Sequence, residues 1–342
     1  MSKLRLLFFP FSFLYKRITN LRNFLYEKEV LHAQTIPVKS IVIGNLSVGG
    51  TGKSPVTMYL ANLFSSRLNI AILSRGYGRK TTGFIDVNEN ADAKEVGDEP
   101  LMFKKTFRNH VSVAVCEKRS EGVDQLLLNH PETELILLDD AFQHRQIKAG
   151  FHLLLTTFHD PFFTDFVLPV GNLRESRKGA NRADIILITK SPDVIDQSTK
   201  ERYFNALEKF NKPVFFSRIN YSDLVPFTPG VSEIKHVLLV TGIAQPVDIH
   251  TYLQTKYKVD HIQFPDHHQF TPDDIDKIHR KFDTFASSEK AIVTTYKDYM
   301  RLCGNISLWG MDQFPWYFLP ISVSIENENE FIKLIQNYVG KN

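Results

Sequence analysis

The chain has 342 residues, 43% hydrophobic and 23% charged, a composition that suits a packed globular protein and excludes a disordered or fibrous one. A formal charge of +3, from 41 basic and 38 acidic residues, gives no electrostatic footprint for nucleic acid. Cys116 and Cys303, the only cysteines, show neither zinc-ligand spacing nor a disulfide framework, which suits a reducing, cytosolic face.

The first feature along the chain is a charge imbalance. Residues 1–28 carry Lys3, Arg5, Lys16, Arg17, Arg22 and Lys28 against a single acid, Glu27, around the run LRLLFFPFSFLY (4–15). That run is shorter than the roughly 20 apolar residues a bilayer span needs. Arg5 and Pro10 interrupt it, and no small-residue cleavage site follows. The pattern predicts an amphipathic segment over 1–30 lying in a membrane interface, aromatics among the headgroups and cations on anionic lipid. A helix packed on the protein's own core is the alternative.

Next comes VIGNLSVGGTGKSP (42–55), an apolar strand, a glycine-rich loop, and Lys53-Ser54 opening a helix. Loop N–H groups and a helix N-terminus together cradle nucleotide phosphates. The candidate cradle is Ser47, Val48, Gly49, Gly50, Thr51, Gly52, Lys53 and Ser54. Lys53 is placed to reach the β- and γ-phosphates of ATP and the Ser54 hydroxyl to ligate Mg²⁺. The usual pattern has glycine where Ser47 stands. A ligand-free glycine turn is the competing reading, and it leaves Lys53 unexplained.

Beyond it, near-continuous apolar runs at 40–44, 70–73, 111–116, 134–139, 151–155, 184–189, 236–241 and 291–295 alternate with helical stretches such as 55–66 and 120–129. Strands buried on both faces have this look. The fold expected is a doubly wound α/β sheet of P-loop type, mostly parallel, with its ligand at the carboxyl ends of the strands. Turn formers in YSDLVPFTPGVS (221–232) predict a boundary between a core over 31–225 and a smaller C-terminal α/β subdomain over 226–342.

Several segments carry chemistry. LILLDDAFQHR (135–145) ends an apolar strand on Asp139 and Asp140, a pair for which a metal or an arginine partner is expected, the alternative being solvated acids in a polar turn. His144 and Arg145 follow within reach of phosphate oxygens. In GDEP (97–100), Asp98 reads as a general base or metal-associated group assisted by Glu99, or as an ordinary helix N-cap. FPDHHQF (264–270) reads as a metal site, as an acid–base dyad with a distant aspartate, or as a polar loop before a helix at 271. SRGYGR (74–79) and LPVGNLRESRK (168–178) place arginines on glycine-bearing loops, suited to phosphate or sugar phosphate, or merely solvated.

Taken in order, GNLSVGGTGKSP (44–55), LSRGYGR (73–79), GDEP (97–100), DDAFQHR (139–145), LPVGNLRE (168–175), FPDHH (264–268) and TTYKD (294–298) resemble the tetraacyldisaccharide 4'-kinases, the lipid A 4'-kinases of Gram-negative bacteria. The resemblance spans nearly the whole chain. It implies transfer of the γ-phosphoryl group of ATP to the 4'-hydroxyl of a tetraacyldisaccharide 1-phosphate, at the cytoplasmic face of the inner membrane. It implies Asp98 as general base with His267 as its partner. Lys53, Ser54, Asp139 and Asp140 become the phosphate and Mg²⁺ elements. Arg75, Arg79, Arg174, Glu99 and His144 become candidates for the lipid acceptor. Ala141 stands where that family usually has glycine and Tyr296 where it usually has glutamate; the family too lacks the first loop glycine. The rival functions are a P-loop switch, which needs no base for an organic hydroxyl, and a soluble small-molecule kinase.

Overall fold

The structure, a computed structural model, describes residue 5 and residues 7–340. Its larger sheet has nine strands. In chain order the longer ones are β1 (Lys39–Asn45), β2 (Ile70–Ser74), β3 (Val111–Val115), β4 (Leu135–Asp139), β5 (Phe151–Thr157), β6 (Ile185–Thr189) and β7 (Val214–Tyr221). These seven lie parallel in the order β7-β6-β5-β1-β4-β2-β3. From β1 the chain winds outward on both sides, so the carboxyl end of β1 is the switch point at which open α/β sheets bind ligands. Antiparallel edges close the sheet: Ile85–Asp86 beside β3, and a strand from the C-terminus beside β7.

Alternation of side chains packs both faces. Ile41, Ile43, Ile72, Leu135 and Leu153 enter one core with Leu60, Phe103 and Phe331. Val42, Leu73, Ile136, Leu138 and Leu154 enter the other with Phe142, Phe162 and Leu126. Neither face is left to water, which is why these strands read as unbroken apolar runs. The predicted doubly wound sheet is present, and each of the eight anticipated strands is found within a residue or two at its ends.

A second sheet follows β7. It holds β8 (His236–Thr241), β9 (Lys258–Gln263), β10 (Lys290–Thr295) and β11 (Trp316–Leu319) in the order β11-β10-β8-β9, parallel, with Val225–Pro226 antiparallel at one edge. The expected subdomain over 226–342 needs correcting at its far end. After Leu319 the chain re-enters the large sheet: Ile321–Ile325 (β12) pairs antiparallel with β7, and the helix Glu328–Val339 buries Phe331 and Ile335 in the first core. The second unit is thus inserted between two neighbouring strands of the first. β8 and β10 point their carboxyl ends, with Gly242 and Lys297 just beyond, at the P-loop side of the large sheet.

The N-terminal helix α1 (Phe9–Glu27) packs with its polar side inward. Ser12 is buried, its hydroxyl donating to the Val167 carbonyl (2.9 Å) and accepting from the Val170 N–H (3.0 Å). The Tyr15 hydroxyl donates to the Arg174 carbonyl at 2.7 Å and the Asn23 amide to Glu175 at 2.6 Å. Phe9, Phe11, Phe13, Leu14, Ile18, Leu21 and Phe24 are all more than half exposed. The helix therefore clips onto the 167–175 loop and turns its apolar face outward. No described helix is long and apolar enough to cross a membrane.

Candidate active site

The loop after β1 is set by its glycines and by neighbours. Gly49 (φ 106°) and Gly52 (φ 80°) take left-handed backbone, and Gly52 is the N-cap of the helix α2 (Lys53–Phe64). Ser47 is not left-handed; it bridges Leu173, so a glycine there is not required. The Asn45 amide donates to the Thr51 hydroxyl at 2.8 Å, and the Thr189 hydroxyl donates to the Thr51 carbonyl at 2.9 Å. Strands β1 and β6 thereby hold the loop from two sides. Lys53 Nζ lies 3.6 Å from Asp140 Oδ1.

At the end of β4 the two aspartates differ. Asp139 is buried, accepting from the Thr57 hydroxyl (3.1 Å) and the Ser74 hydroxyl (3.3 Å). Burial, then the charges of Glu99 and Asp140, push its carboxyl up to about 7. Asp140 opens toward the cavity and meets both Lys53 and Arg174 Nη1, the latter at 3.1 Å. Burial opposes its ionisation, but the charges of Lys53 and Arg174 outweigh it and hold the carboxyl below its ordinary value. Asp140 carries φ 47°, so the left-handed residue of this turn is Asp140 and not Ala141. Alanine at 141 therefore costs the turn nothing. Among the described residues no three His, Cys, Asp or Glu side chains form a closed metal cage. Mg²⁺ rarely asks for one, since it keeps waters and substrate phosphates as ligands. An oxygen-only set around a carboxyl that neighbouring acids keep near neutrality fits such a cation.

Asp98 is the first residue of helix α3 (Asp98–Phe107) and is 5% exposed. Gly97 (φ 94°), not Asp98, occupies the cap position, so the N-cap reading of Asp98 is corrected. Asp98 Oδ1 accepts from the Glu99 N–H at 2.8 Å. Oδ2 lies 3.1 Å from His267 Nδ1, 3.2 Å from Arg301 Nη1 and 4.0 Å from Lys297 Nζ. Burial raises its pKa, yet the His267 hydrogen bond and the charges of Lys297 and Arg301 leave it below the usual carboxylate value. Glu99 accepts from the Ser54 hydroxyl (2.7 Å) and from Lys297 (3.2 Å), so the end of the phosphate loop and the Asp98 cluster are one continuous network.

Of the two neighbouring histidines, His267 (φ 57°) faces Asp98, while His268 Nε2 pairs with Asp274 at 2.9 Å. Asp274 also completes the capping box of Thr271 for the helix Pro272–Asp283. Segment 264–270 holds no cluster of three metal-ligating side chains; it brings His267 to Asp98 instead.

A cavity of about 560 Å³ lies between the two units. The phosphate loop, Asp140, Arg174, Glu99, Tyr77, His267 and Lys297 line one part, and Ile219, Tyr221, Ile243, Gln245, Leu319 and Ile321 line another. Asp98 itself sits just behind the wall that Glu99, His267 and Lys297 make. Of the arginine candidates, Arg174 lines this cavity and Arg75 is exposed. Arg79 is not available: its guanidinium is 2% exposed, pairs with Glu117 at 2.6 Å and donates to the Gly83 carbonyl. It pins its own loop. His144 does not line the cavity; burial, then Arg119 and Arg75, lower its pKa to about 4. Tyr296 lines the cavity but spends its hydroxyl on Thr106 (3.2 Å) and stacks on Phe318.

Lys297 and Arg301 had no assigned role in the sequence. Lys297 lay within the TTYKD segment (294–298) without a role of its own; in the structure Thr295 caps that helix, its hydroxyl accepting from the Asp298 N–H.

A Lys-Ser glycine loop at the switch point of a parallel sheet, with an Asp–His pair beside the same cavity, defines a P-loop enzyme of the nucleotide-dependent kinase class. Residues 4–340 match the family described as tetraacyldisaccharide-1-P 4'-kinase, LpxK. The chain is 43% identical to a tetraacyldisaccharide 4'-kinase of Flavobacterium psychrophilum, over 99% of this chain and 98% of that one. It is 38% identical to one from Bacteroides fragilis, over 98% and 93%. Its fold is similar to a crystal structure of LpxK from Aquifex aeolicus in complex with ATP, with TM-score 0.75 and 31% identity, covering 98% and 99% of the two chains. The chain belongs to the tetraacyldisaccharide 4'-kinase family.

Proposed function

We infer that this protein transfers the γ-phosphoryl group of ATP to the 4'-hydroxyl of a tetraacyldisaccharide 1-phosphate, the kinase step of lipid A biosynthesis. The observation that carries the reading is the network from Ser54 through Glu99 and Lys297 to Asp98 and His267, which puts a phosphate cradle and a proton-accepting pair on one cavity. A nucleotide switch has no use for that pair.

The loop N–H groups and Lys53 bind the donor phosphates and draw negative charge off the reacting group. Lys53, which with Arg174 neutralises Asp140 in the free protein, is the cation released to phosphate when a donor arrives. Ser54, Asp139 and Asp140 are the residues to hold Mg²⁺, which when bound neutralises charge on the phosphates. Asp98 accepts the hydrogen bond of the attacking hydroxyl and takes its proton as the new P–O bond forms. A carboxylate with a depressed pKa is a weak base. That suffices here, because a loose transition state loses the proton late and needs positioning more than basicity. His267 orients Asp98. Arg174 and Arg75 contact the acceptor's phosphate and sugar.

Membrane contact belongs to α1. Seven large apolar side chains face outward there while Ser12, Tyr15 and Asn23 are satisfied inward, an arrangement suited to an interfacial helix at the cytoplasmic face. Purified protein given Mg-ATP and tetraacyldisaccharide 1-phosphate in detergent micelles is expected to yield a lipid heavier by one phosphate. ATP turnover with no lipid phosphorylated would refute this reading.

A further inference from the structure

The guanidinium of Arg301 is 1% exposed, so it touches neither the cavity nor anything bound there. Three residues nevertheless meet on it, and a fourth is tied to one of them. Nη1 faces Asp98 Oδ2 at 3.2 Å. Nη2 donates to the Gly242 carbonyl at 2.9 Å and pairs with Asp298, one turn earlier on the helix Tyr296–Leu302. The Gly242 N–H returns to both Asp298 oxygens at 3.1 Å. The His267 N–H donates to that same Gly242 carbonyl at 3.0 Å. One side chain therefore fixes the backbone that carries His267 and faces the carboxylate that His267 contacts. The two partners reach it from different sheets, 169 positions apart in the chain.

Gly242 is tied in by space as well as by hydrogen bonds. A Cβ there would lie 3.0 Å from Asp298 Oδ1 and 3.3 Å from Arg301 Nη2. Nε and Nη1 of Arg301 have no hydrogen-bond acceptor among the described residues, so Nη1 acts on Asp98 through charge at short range. In a site this dry such a charge is weakly screened. A lysine at this position supplies one point charge on a flexible stem. The guanidinium fork instead spans Asp98, Asp298 and Gly242 together.

We propose that Arg301 is the positioning residue of the Asp98–His267 pair, setting the rotamer and charge of Asp98 from behind while taking no part in substrate binding. The inference rests on the reading of Asp98 given above.

The test is steady-state lipid phosphorylation by the full-length protein with Mg-ATP and the lipid in micelles. The variants are Arg301→Met and Arg301→Lys, each in the wild-type and the Asp98→Asn background, with affinity for a non-hydrolysable ATP analogue measured alongside. Arg301→Met is expected to lower kcat roughly 10²-fold, the scale of a misplaced reacting group. Analogue affinity should stay within about twofold, since uniform donor binding is untouched. Arg301→Lys should recover to within roughly tenfold of wild type. In the Asp98→Asn background neither substitution should cost more than about threefold further, because both act through the same carboxylate. Equal losses in both backgrounds, or a wild-type kcat for Arg301→Met, would overturn the proposal. Should Arg301→Met not fold, the lysine variant carries the same two-background comparison. If wild-type protein phosphorylates no lipid, it is the parent reading that fails, and this inference with it.

Discussion

Lys53 and Asp98 are the charged groups proposed for the donor and the acceptor ends of the transfer, and the molecule holds them in opposite ways. Lys53 belongs to one short continuous segment, fixed by two left-handed glycines and by β1 and β6, all within the large sheet. Asp98 comes from the same unit, but His267, Lys297 and Arg301, which orient and ionise it, all come from the inserted unit. The proposed donor cradle thus draws on one unit, whereas the proposed proton acceptor, Asp98, has its partners in the other. Binding of nucleotide and transfer to lipid should therefore be separable by mutation.

The largest expected effect is on transfer alone. Asp98→Asn should lower kcat for lipid phosphorylation by roughly 10²–10⁴-fold, the range of general-base contributions, while ATP-analogue affinity stays near wild type. Steady-state kinetics beside calorimetry would show the split; wild-type turnover would end the base assignment. Lys53→Met should cost roughly 10²–10³-fold and, in contrast, weaken nucleotide binding too, because its charge serves the phosphates before and during transfer.

A smaller contrast lies between adjacent histidines. His267→Ala should reduce kcat on the order of tenfold to 10²-fold through loss of orientation. His268→Ala removes the contact to Asp274 and the ring packing on Phe264 and Phe270, and should leave kcat unchanged with a loss of thermal stability. Equal kinetic effects of the two would contradict the dyad. On the outer surface, replacing Phe11 and Leu14 by serine should weaken sedimentation with anionic vesicles roughly 10- to 100-fold, given the apolar area those side chains stand to bury. Turnover on micellar substrate should change far less.

The smallest effect concerns pH. His144 is held neutral by burial and by Arg119 and Arg75, its pKa lowered from 6.5 to about 4. The unfolded chain takes up that proton first, so the stability it contributes is complete above about pH 6.5 and is lost as pH falls toward 4. Asp139, raised to about 7, works the other way: its cost disappears as it protonates below that value. Thermal melts of His144→Asn against wild type cancel the Asp139 part. The variant should gain relative stability as pH drops from 6.5 to 4; a pH-independent difference would refute the assignment.

Much of this was legible in the chain because the large sheet is buried on both faces and writes itself as apolar runs. The strands that escaped carry that signature in part or not at all, β7 among them, whose apolar run stops at Phe216. Lys258–Gln263 is an edge strand with no fully buried side chain, and Trp316–Leu319 is parted from Ile321–Ile325 by Pro320 alone. The return of the C-terminus to the first sheet is a long-range pairing of Ile321–Ile325 with β7, which no local pattern announces. The same division runs through the site. The glycine loop and the strand ending at Asp139 are local and were readable. The partners of Asp98 lie 169 to 203 positions away, and Arg301 had no motif of its own to mark it. Arg79 misled because a glycine-flanked arginine looks alike whether it awaits a ligand or, as here, holds Glu117.

The central claim is that both halves act on one phosphoryl group. The most direct measurement is the ratio of ADP formed to phosphate attached at the 4'-position of the disaccharide, read by mass and phosphorus NMR on one reaction with wild-type protein. A ratio of one, with ADP formation dependent on the lipid, is the predicted result. ADP accumulating without lipid phosphate, or phosphate attached elsewhere on the sugar, would contradict it.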